Sequence, residues 1–525
     1  MGVIDTLTGN MTYLILLVLL MIYIPIYFHV RSSKRMAEKG IVPYGPTIML
    51  KTKRGMRLLD RLARHRRFWG IFGTISKIMA FFLMAVMVFI LVNNLLLLPL
   101  MAETSGIGVE YALAIPGLNP MLPLVYGVIG LVVAVAIHEI AHGVQTRAND
   151  MDVESMGILY AVVPIGAFVE PNNEQIMKAT RKARSSMYAA GIAVNLTVAA
   201  VLFLVMSAGM MGSMSSNVGG NAAVVNISAD SPADDANIGY SSIILGIQEG
   251  MVLTDLNYNK LMGHEFLLDS KYDIRYATAN GPDNIANMYM GVFINGIAKG
   301  SPAEKAGIPK NSFLVSIDGN PVKSMNEFAR IMTSLNLQGK TVDVVYQEYN
   351  GGVLSALKTK TVTLGENNGR AYLGVNYSLS GLTFTTPDAV LAMAKNPFHN
   401  SETVSEAASD ALRYIGSPFR GNSPIPQEFT WWYQSSVLPD DVFWVVLQAT
   451  FWIFWLNLVL AITNAIPAVP FDGGFLLRDG VGSAVDRTHK HASQEQRDRI
   501  TDSVTRTVSY VTLFLLLLVM VMILF

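Results

Sequence analysis

Two histidines and a glutamate interrupt an otherwise apolar stretch of the chain. The segment reads LPLVYGVIGLVVAVAIHEIAHGV over residues 122–144, and its titratable groups are His138, Glu139 and His142. Positions i and i+4 share one face of an α-helix, so both imidazoles can bind one ion, while Glu139, about 100° around the helix, can reach a water on it. This spacing is typical of zinc hydrolases. Ionisable groups in lipid are costly unless they are paired or metal-bound, which favours a functional site.

A catalytic zinc site needs a third protein ligand and an open position for water. The chain has no cysteine, so histidines and carboxylates must supply the ligands. The nearest downstream acids, Glu154, Glu170 and Glu174, lie beyond the predicted end of the helix. Asp472 in TNAIPAVPFDGG (463–474) is the better candidate, because the prolines and glycines around it break a helix on the same side of the membrane as the histidines. An ordinary Asp-Gly turn is the alternative interpretation.

The composition is typical of a polytopic membrane protein. Apolar residues make up 51% of the 525 residues and charged residues 15%, far from the usage of soluble domains. A membrane-crossing helix needs about 20 apolar residues, and the segments of suitable length are 12–30, 76–100, 121–146, 186–211, 442–467 and 507–525. These apolar segments predict the lipid bilayer as the surroundings of the chain. Because the formal net charge is zero, no nucleic-acid partner is predicted.

The distribution of basic residues predicts the orientation. Residues 31–67 contain twelve lysines and arginines against two acidic residues, Glu38 and Asp60. Loops of this kind stay in the cytoplasm, which places the N-terminus and the long insert 212–441 outside. The predicted location is therefore the cell membrane, with the candidate metal site near the cytoplasmic face.

The insert contains an internal repeat. SPADDANIGYSSIILGIQEGMV (231–252) aligns without a gap onto SPAEKAGIPKNSFLVSIDGNPV (301–322), and YMGV (289–292) and YLGV (372–375) bracket the second copy. These strings resemble bacterial-type PDZ domains, the first copy being the more degenerate. The resemblance implies capture of a peptide C-terminus by strand addition, with Met290, Gly291 and Val292 as the candidate loop of the second copy. A steric spacer or filter without a peptide ligand is the alternative.

The segment ILYAVVPIGAFVEP (158–171) follows the metal-binding helix directly. Its β-branched and aromatic residues, with Pro164 and Gly166 at the centre, predict a short β-hairpin or re-entrant element. An edge of this element could pair with an unwound substrate as an added strand. The candidate substrate-binding residues are Val163, Pro164, Ile165, Gly166 and Ala167. A plain loop or amphipathic segment on the membrane surface is the alternative.

These observations predict a fold class and a domain order. The fold class is a polytopic α-helical membrane protein of about six transmembrane helices, with an inserted extracytoplasmic, β-rich (α+β) tandem PDZ-like region. The predicted domains are a first transmembrane helix (1–30), a basic cytoplasmic loop (31–75), a membrane domain with the zinc-binding helix (76–211), PDZ-like repeats (222–288 and 289–378), an extracytoplasmic linker (379–441) and C-terminal membrane helices (442–525).

Three motifs together resemble the site-2 protease family of intramembrane zinc metalloproteases. They are HEIAH at 138–142, AGIAVN at 190–195 and N-x-x-P-x-x-P-x-D-G-G starting at Asn464. The resemblance implies that His138, His142 and Asp472 bind one zinc ion per chain and that Glu139 is the catalytic glutamate. It further implies that Asn464 stabilises an oxyanion or positions the substrate. One departure, Ile192 where the family often has proline, concerns the packing of that helix.

The function that this resemblance implies is hydrolysis of peptide bonds within or near transmembrane segments of single-span membrane proteins, as in regulated intramembrane proteolysis. Peptide C-termini are a further expected partner at the second PDZ-like repeat. A zinc transporter or metal sensor would also account for intramembrane histidines, but it leaves Glu139 and the repeats without a role. A non-catalytic PDZ membrane scaffold would account for the repeats but not for the ligand set.

Overall fold

The computed structural model describes residues 11–101, 119, 122–161, 164–249, 252–268, 270–334, 337–367, 369–398, 401–420 and 424–524. The chain divides into two compact units. The first, which we call the helical unit, comprises the described residues of 1–210, 411–424 and 444–525. The second, the β-rich unit, comprises those of 211–410 and 425–443.

The helices and strands are numbered in chain order. Those up to residue 216 are α1 (Met11–Ser32), α2 (Lys34–Glu38), β1 (Ile41–Tyr44), β2 (Thr47–Thr52), α3 (Met56–Ala63), α4 (Arg66–Met101), α5 (Leu124–Ala148), β3 (Val153–Tyr160), β4 (Pro164–Pro171), α6 (Asn173–Lys178), α7 (Arg181–Leu204) and β5 (Met214–Ser216). The next are β6 (Ala222–Ile227), α8 (Pro232–Asp235), β7 (Ile243–Glu249), β8 (Val252–Asp255), α9 (Tyr258–Gly263), β9 (Tyr272–Thr278), β10 (Gly281–Met288), β11 (Val292–Ile297), α10 (Pro302–Ala306), β12 (Ser312–Ile317), β13 (Asn320–Pro321), α11 (Met325–Ser334), β14 (Thr341–Asn350), β15 (Val353–Leu354), β16 (Lys358–Thr363), β17 (Gly365–Asn367), β18 (Arg370–Tyr372), β19 (Val375–Leu379) and β20 (Leu382–Thr385). The last are α12 (Pro387–Lys395), α13 (Val404–Ile415), β21 (Tyr433–Ser435), α14 (Asp440–Asn464), α15 (Asp472–Thr488) and α16 (Gln494–Leu524).

Five helical stretches among the described residues are long and apolar enough to cross a membrane. They are Arg66–Asn93, Leu124–Ala148, Arg181–Ser213, Asp440–Asn464 and Gln494–Val521. These stretches correspond to the second to sixth spans expected from the sequence. The first expected span, 12–30, falls in α1, of which the apolar stretch Leu17–Ser32 is shorter than these five.

Two of these helices begin ten or more residues earlier than the apolar pattern predicted. The helix α4 starts at Arg66 rather than at 76, so the basic loop predicted for 31–75 ends ten residues sooner. The helix α16 starts at Gln494 rather than at 507. In α16 polar residues that favour the helical conformation continue the helix beyond its apolar part, whereas residues 68–75 of α4 are themselves mostly apolar. Within α16, Thr501 and Thr505 are buried, and their hydroxyls donate to carbonyls one turn back.

A four-stranded antiparallel sheet lies in the helical unit, in the order β1-β2-β3-β4. The hairpin expected within 158–171 is longer than predicted, because β3 already begins at Val153. The strands β1 and β2 come from the segment predicted as a basic cytoplasmic loop, for which no strands were expected. Lys51 of β2 forms an ion pair with Glu170 of β4 at 2.7 Å. In this strand order β4 is an edge strand of the sheet.

Small residues bring the helices around the candidate site close together. Ala80 of α4, Ala189 of α7, and Ala461 and Ala465, the latter just after α14, are buried in one cluster with Leu476 of α15. Alanines at helix contacts allow the backbones to approach closely, which is a main source of packing between helices in lipid. The helix α15, which carries Asp472, is therefore in direct contact with α7.

The β-rich unit is built around a thirteen-stranded sheet whose main path is β10-β9-β7-β6-β20-β19-β11-β12-β14-β15, with β8, β13 and β16 paired at its sides. The internal repeat is visible in this order. The first copy runs β6-α8-β7-β8-α9-β9-β10 and the second β11-α10-β12-β13-α11-β14-β16. The hairpin β19–β20 lies between β11 and β6, and each of its strands completes one copy.

The second copy is thus inserted within the first. Two equivalent hydrogen bonds support this assignment: Ala303 N–H donates to Leu373 O at 2.9 Å, and Ala233 N–H donates to Ser380 O at 3.2 Å. Leu379 and Leu382 belong to the core of the first copy. The predicted boundaries 222–288 and 379–441 therefore need correction, because β20 and the end of β19 belong to the first copy rather than to a linker. The predicted linker also contains α12 and α13.

Candidate metal centre

The helix α5 presents His138 and His142 on successive turns, with Glu139 next to His138. It ends where Asp150 adopts a left-handed conformation, with φ of 60°, and Met151 N–H donates back to Thr146 O at 3.1 Å. This is the usual way in which a helix stops and satisfies its last carbonyls. The HEIAH sequence therefore lies within the last three turns of the helix.

Asp472 is the first residue of α15, directly after the irregular segment 465–471. This segment folds back closely over the start of the helix. A Cβ atom on Gly473 would lie 2.4 Å from the carbonyl oxygen of Ile466, and one on Gly474 would lie 2.4 Å from the backbone of Ala468 and Val469. Glycine is the residue that permits such an approach. The two glycines after Asp472 thus let the chain turn sharply enough to aim the carboxylate at α5.

Three potential ligand atoms converge between α5 and α15. His138 Nε2 and His142 Nε2 are 3.0 Å apart, and each is 3.1 Å from Asp472 Oδ2. Neighbouring ligands about 2.1 Å from a tetrahedral zinc would be roughly 3.4 Å apart. Among the described residues, this is the group of histidine and acidic side chains with the geometry to hold a metal ion. Two imidazoles and one carboxylate fit a catalytic zinc site that keeps one position open.

The helix α7 orients the histidines in a way that the sequence did not reveal. His142 Nδ1 donates a hydrogen bond to Met187 O at 2.7 Å, since a carbonyl can only accept. The proton on Nδ1 leaves Nε2 with a free lone pair for a metal. One turn further, Gly191 faces both rings: a Cβ there would lie 2.5 Å from His138 Cε1 and 2.5 Å from His142 Nε2. The AGIAVN motif was the only sequence signal for this contact.

Glu139 lies beside the cluster and is held by the edge strand. Its Oε2 accepts a hydrogen bond from Val169 N–H of β4 at 2.9 Å. Asn464, at the end of α14, is partly buried and donates from Nδ2 to Leu460 O at 3.1 Å. The structure thus connects Glu139 to the predicted substrate strand, whereas Asn464 bonds within its own helix.

The predicted substrate-binding residues fall mainly on β4. Ala167 pairs with Ile158 of β3, and Gly166 pairs with Leu159. A Cβ on Gly166 would lie 3.4 Å from Val135 Cγ1, so the strand lies against α5. Pro164 and Ile165 belong to the start of the strand. Val163 lies outside the described residues.

The loop predicted to receive a peptide C-terminus is buried within the β-rich unit. Met290 is 1% exposed and Val292 is fully buried. The N–H of Gly291 donates to Ser380 Oγ at 3.0 Å, and its carbonyl accepts from Ser380 N–H at 3.0 Å. Peptide binding by Met290, Gly291 and Val292 would require the turn between β19 and β20 to release this amide, and it stays a prediction.

Comparison with known proteins identifies the class to which this site belongs. The model of peptidase family M50 matches residues 126–518, about three quarters of the chain. The chain therefore belongs to peptidase family M50, the site-2 protease family of membrane-embedded zinc metalloproteases, as its motifs predicted.

A more specific comparison is with an uncharacterized protein of Methanocaldococcus jannaschii. The two chains are 28% identical over 186 residues, which cover 35% of this chain and 48% of that protein. The match therefore spans about half of the relative's length.

Proposed function

We propose that the protein is an intramembrane zinc endopeptidase that hydrolyses peptide bonds within or near transmembrane segments of single-span membrane proteins. The observation that carries this proposal is the convergence of His138, His142 and Asp472 within 3.1 Å of one another, with Glu139 beside them. A zinc ion bound there would polarise a peptide carbonyl and make a water molecule more acidic. A pure transport or sensing site would need no such adjacent base.

Glu139 is the group that moves protons in this mechanism. Its carboxylate would accept the proton of the attacking water and then pass it to the leaving amine. The hydrogen bond from Val169 N–H occupies one carboxylate oxygen and fixes the side chain next to β4. The proton acceptor is therefore anchored to the element on which the substrate would lie. For Asn464 we propose one of two roles, stabilisation of the oxyanion or positioning of the substrate, as expected from its motif.

The edge of β4 is the proposed binding site for unwound substrate. Val169 N–H points to Glu139, and backbone groups alternate in direction along a strand. The register from Ala167 to Val169 is regular, so the N–H and C=O of Ala167 point to the same edge of β4 as the N–H of Val169. A helical substrate segment has its carbonyls shielded by internal hydrogen bonds, and pairing with this edge would hold it extended.

Cysteine crosslinking tests this substrate position on a background without native cysteines. We expect Ala167→Cys to form a disulfide, under a mild oxidant, with a cysteine near the scissile bond of a transmembrane substrate. Ile158→Cys is the matched control, because Ile158 pairs with Ala167 but lies one strand inward. Equal crosslinking at both positions, or crosslinking at Ile158 alone, would contradict the assignment to the edge of β4.

The orientation and the role of the β-rich unit complete the proposal. The basic segment 31–67 supports a cytoplasmic location for that loop, with the N-terminus and the β-rich unit outside and the active site near the cytoplasmic face of the cell membrane. The two repeats would act as a steric filter for substrate or as a reader of peptide C-termini.

Removal of the metal tests the proposed activity. We expect purified protein in detergent to contain one zinc per chain and to cut a reporter transmembrane segment. Treatment with 1,10-phenanthroline should abolish cleavage, and added zinc should restore it. Cleavage that persists in metal-free protein would exclude this site as the catalytic one. Zinc movement across vesicle membranes without cleavage of any of several segments would favour a transporter.

A further inference from the structure

The short helix α3 has a buried face and an exposed apolar face. Leu59 is 1% exposed and packs in one core cluster with Val144 of α5 and Val169 of β4. On the outer side, Leu58 is 49% exposed and Leu62 is 40% exposed, one turn apart. The helix is thus fixed to the catalytic helix on one side while it presents two leucines to its surroundings.

The apolar strip continues into the start of α4. Phe68 is 58% exposed and Ile71 is 64% exposed, and both lie in the first turns of the candidate membrane span Arg66–Asn93. A surface cavity of about 710 Å³ lies between Leu62 and Trp69, at the junction of the two helices. The exposed leucines of α3 therefore adjoin the point where the chain enters the membrane.

Four arginines line this strip: Arg57, Arg61, Arg64 and Arg67. All four are exposed, and none has a carboxylate partner among the residues that the structure describes. The acidic groups nearby are already used, since Asp150 pairs with Arg66 and Asp60 pairs with Arg147. The surface is strongly positive, with its guanidinium groups available to an external anion.

We propose that α3 and the first turns of α4 form a binding surface for anionic phospholipids. An amphipathic helix with leucines on one side and arginines beside them lies in the headgroup region, with its apolar face in the acyl boundary. Each basic residue near an anionic leaflet adds to this attraction. Arginine also forms paired hydrogen bonds with phosphate oxygens. A free phosphate would use the arginines alone, whereas a lipid would also use Leu58 and Leu62.

Native mass spectrometry of the full-length protein in detergent tests this proposal, with phosphatidylglycerol as the probe and phosphatidylcholine as the neutral comparison. We expect tighter binding of phosphatidylglycerol. Replacement of the four arginines by glutamine should weaken it by at least about tenfold, because four positive charges next to the anionic headgroup are lost. The matched control replaces four exposed lysines of the β-rich unit, Lys299, Lys305, Lys310 and Lys340, by glutamine and should bind as the wild type does.

Two further measurements separate a lipid surface from an anion site. Leu58→Ser combined with Leu62→Ser should weaken binding of phosphatidylglycerol but not of soluble glycerophosphoglycerol, which has the headgroup without acyl chains. Equal affinity of the wild type for the lipid and for glycerophosphoglycerol would overturn the proposal in favour of a soluble anion. Unchanged lipid binding by the arginine variant, or an equal loss in the lysine control, would also overturn it. None of these outcomes depends on proteolytic activity.

Discussion

Gly191 lies where the two imidazole rings of the candidate metal centre leave no room for a side chain. Its contact with the rings and the bond from His142 to Met187 O together fix the orientation of the ligands. Groups that orient metal ligands commonly change metal affinity by about 10-fold to 100-fold when they are altered. The helix α7 therefore contributes to the site without supplying a ligand.

Substitution of this glycine tests the role of α7. We expect Gly191→Ala to lower zinc affinity by at least about tenfold, because the added methyl group would displace His138 or His142. Competition with a chelator measures the change. Gly209→Ala is the matched control, since a Cβ there would contact nothing within 4 Å. Wild-type zinc affinity in Gly191→Ala would show that the rings have more freedom than the structure indicates.

At the residue scale the sequence predicted which three side chains converge but not the contacts that orient them. His138 and His142 were predictable because helical periodicity places positions four apart on one face. Asp472 was predictable because prolines and glycines around it break a helix. The carbonyl of Met187 was not predictable, since every residue has such a group and only the packing of α7 against α5 selects one.

The helix α15 is aligned with α7 by a series of contacts that leads to Asp472. Arg184 Nη2 of α7, which is partly buried, forms an ion pair with the buried Asp479 Oδ1 of α15 at 2.6 Å. One turn closer to the ligand, the rings of Tyr188 and Phe475 stack with centroids 4.9 Å apart. These contacts fix the position of α15 along α7, and thus the position of its first residue.

The ion pair can be tested separately from the metal ligands. We expect Asp479→Asn to lower zinc affinity by about tenfold, as for other groups that orient ligands, and to lower the Tm, because it leaves the partly buried Arg184 without its charged partner. Asp486→Asn is the matched control. Asp486 pairs with Arg181 between the same two helices, but its side chain is 38% exposed and lies two turns further from Asp472. Equal loss of zinc affinity in both variants would indicate general destabilisation.

At the element scale the membrane helices were largely predictable from apolar length, whereas the sheet was predictable only in part. The hairpin β3–β4 had a clear β-branched pattern. The strands β1 and β2 were missed because Pro43 and Pro46 argue against regular strands. Pro43 is tolerated because β1 is at the sheet edge, where a residue without an N–H breaks no interior pairing.

At the scale of the whole molecule, the inserted repeat shows what sequence alignment alone cannot predict. A constant offset of 70 residues aligns the two Ser-Pro helices and the strands that follow them. The strand β19, which closes the second copy, precedes β20, which closes the first, because the second copy interrupts the first. The two strands begin seven residues apart. Their assignment depends on contacts between residues far apart in the chain, such as Phe384 with Val224. No local pattern encodes these contacts.

The most direct test of the central claim is the cleavage of a reporter transmembrane segment by Glu139→Gln. The variant and the wild type must first be shown to bind the same amount of zinc. We expect Glu139→Gln to cleave about 10²-fold to 10⁴-fold more slowly, the usual effect of losing a general base. Glu174→Gln, an exposed position on α6, should cleave as the wild type does. A zinc-loaded Glu139→Gln that cleaves at the wild-type rate would contradict the role of Glu139 and the mechanism that depends on it.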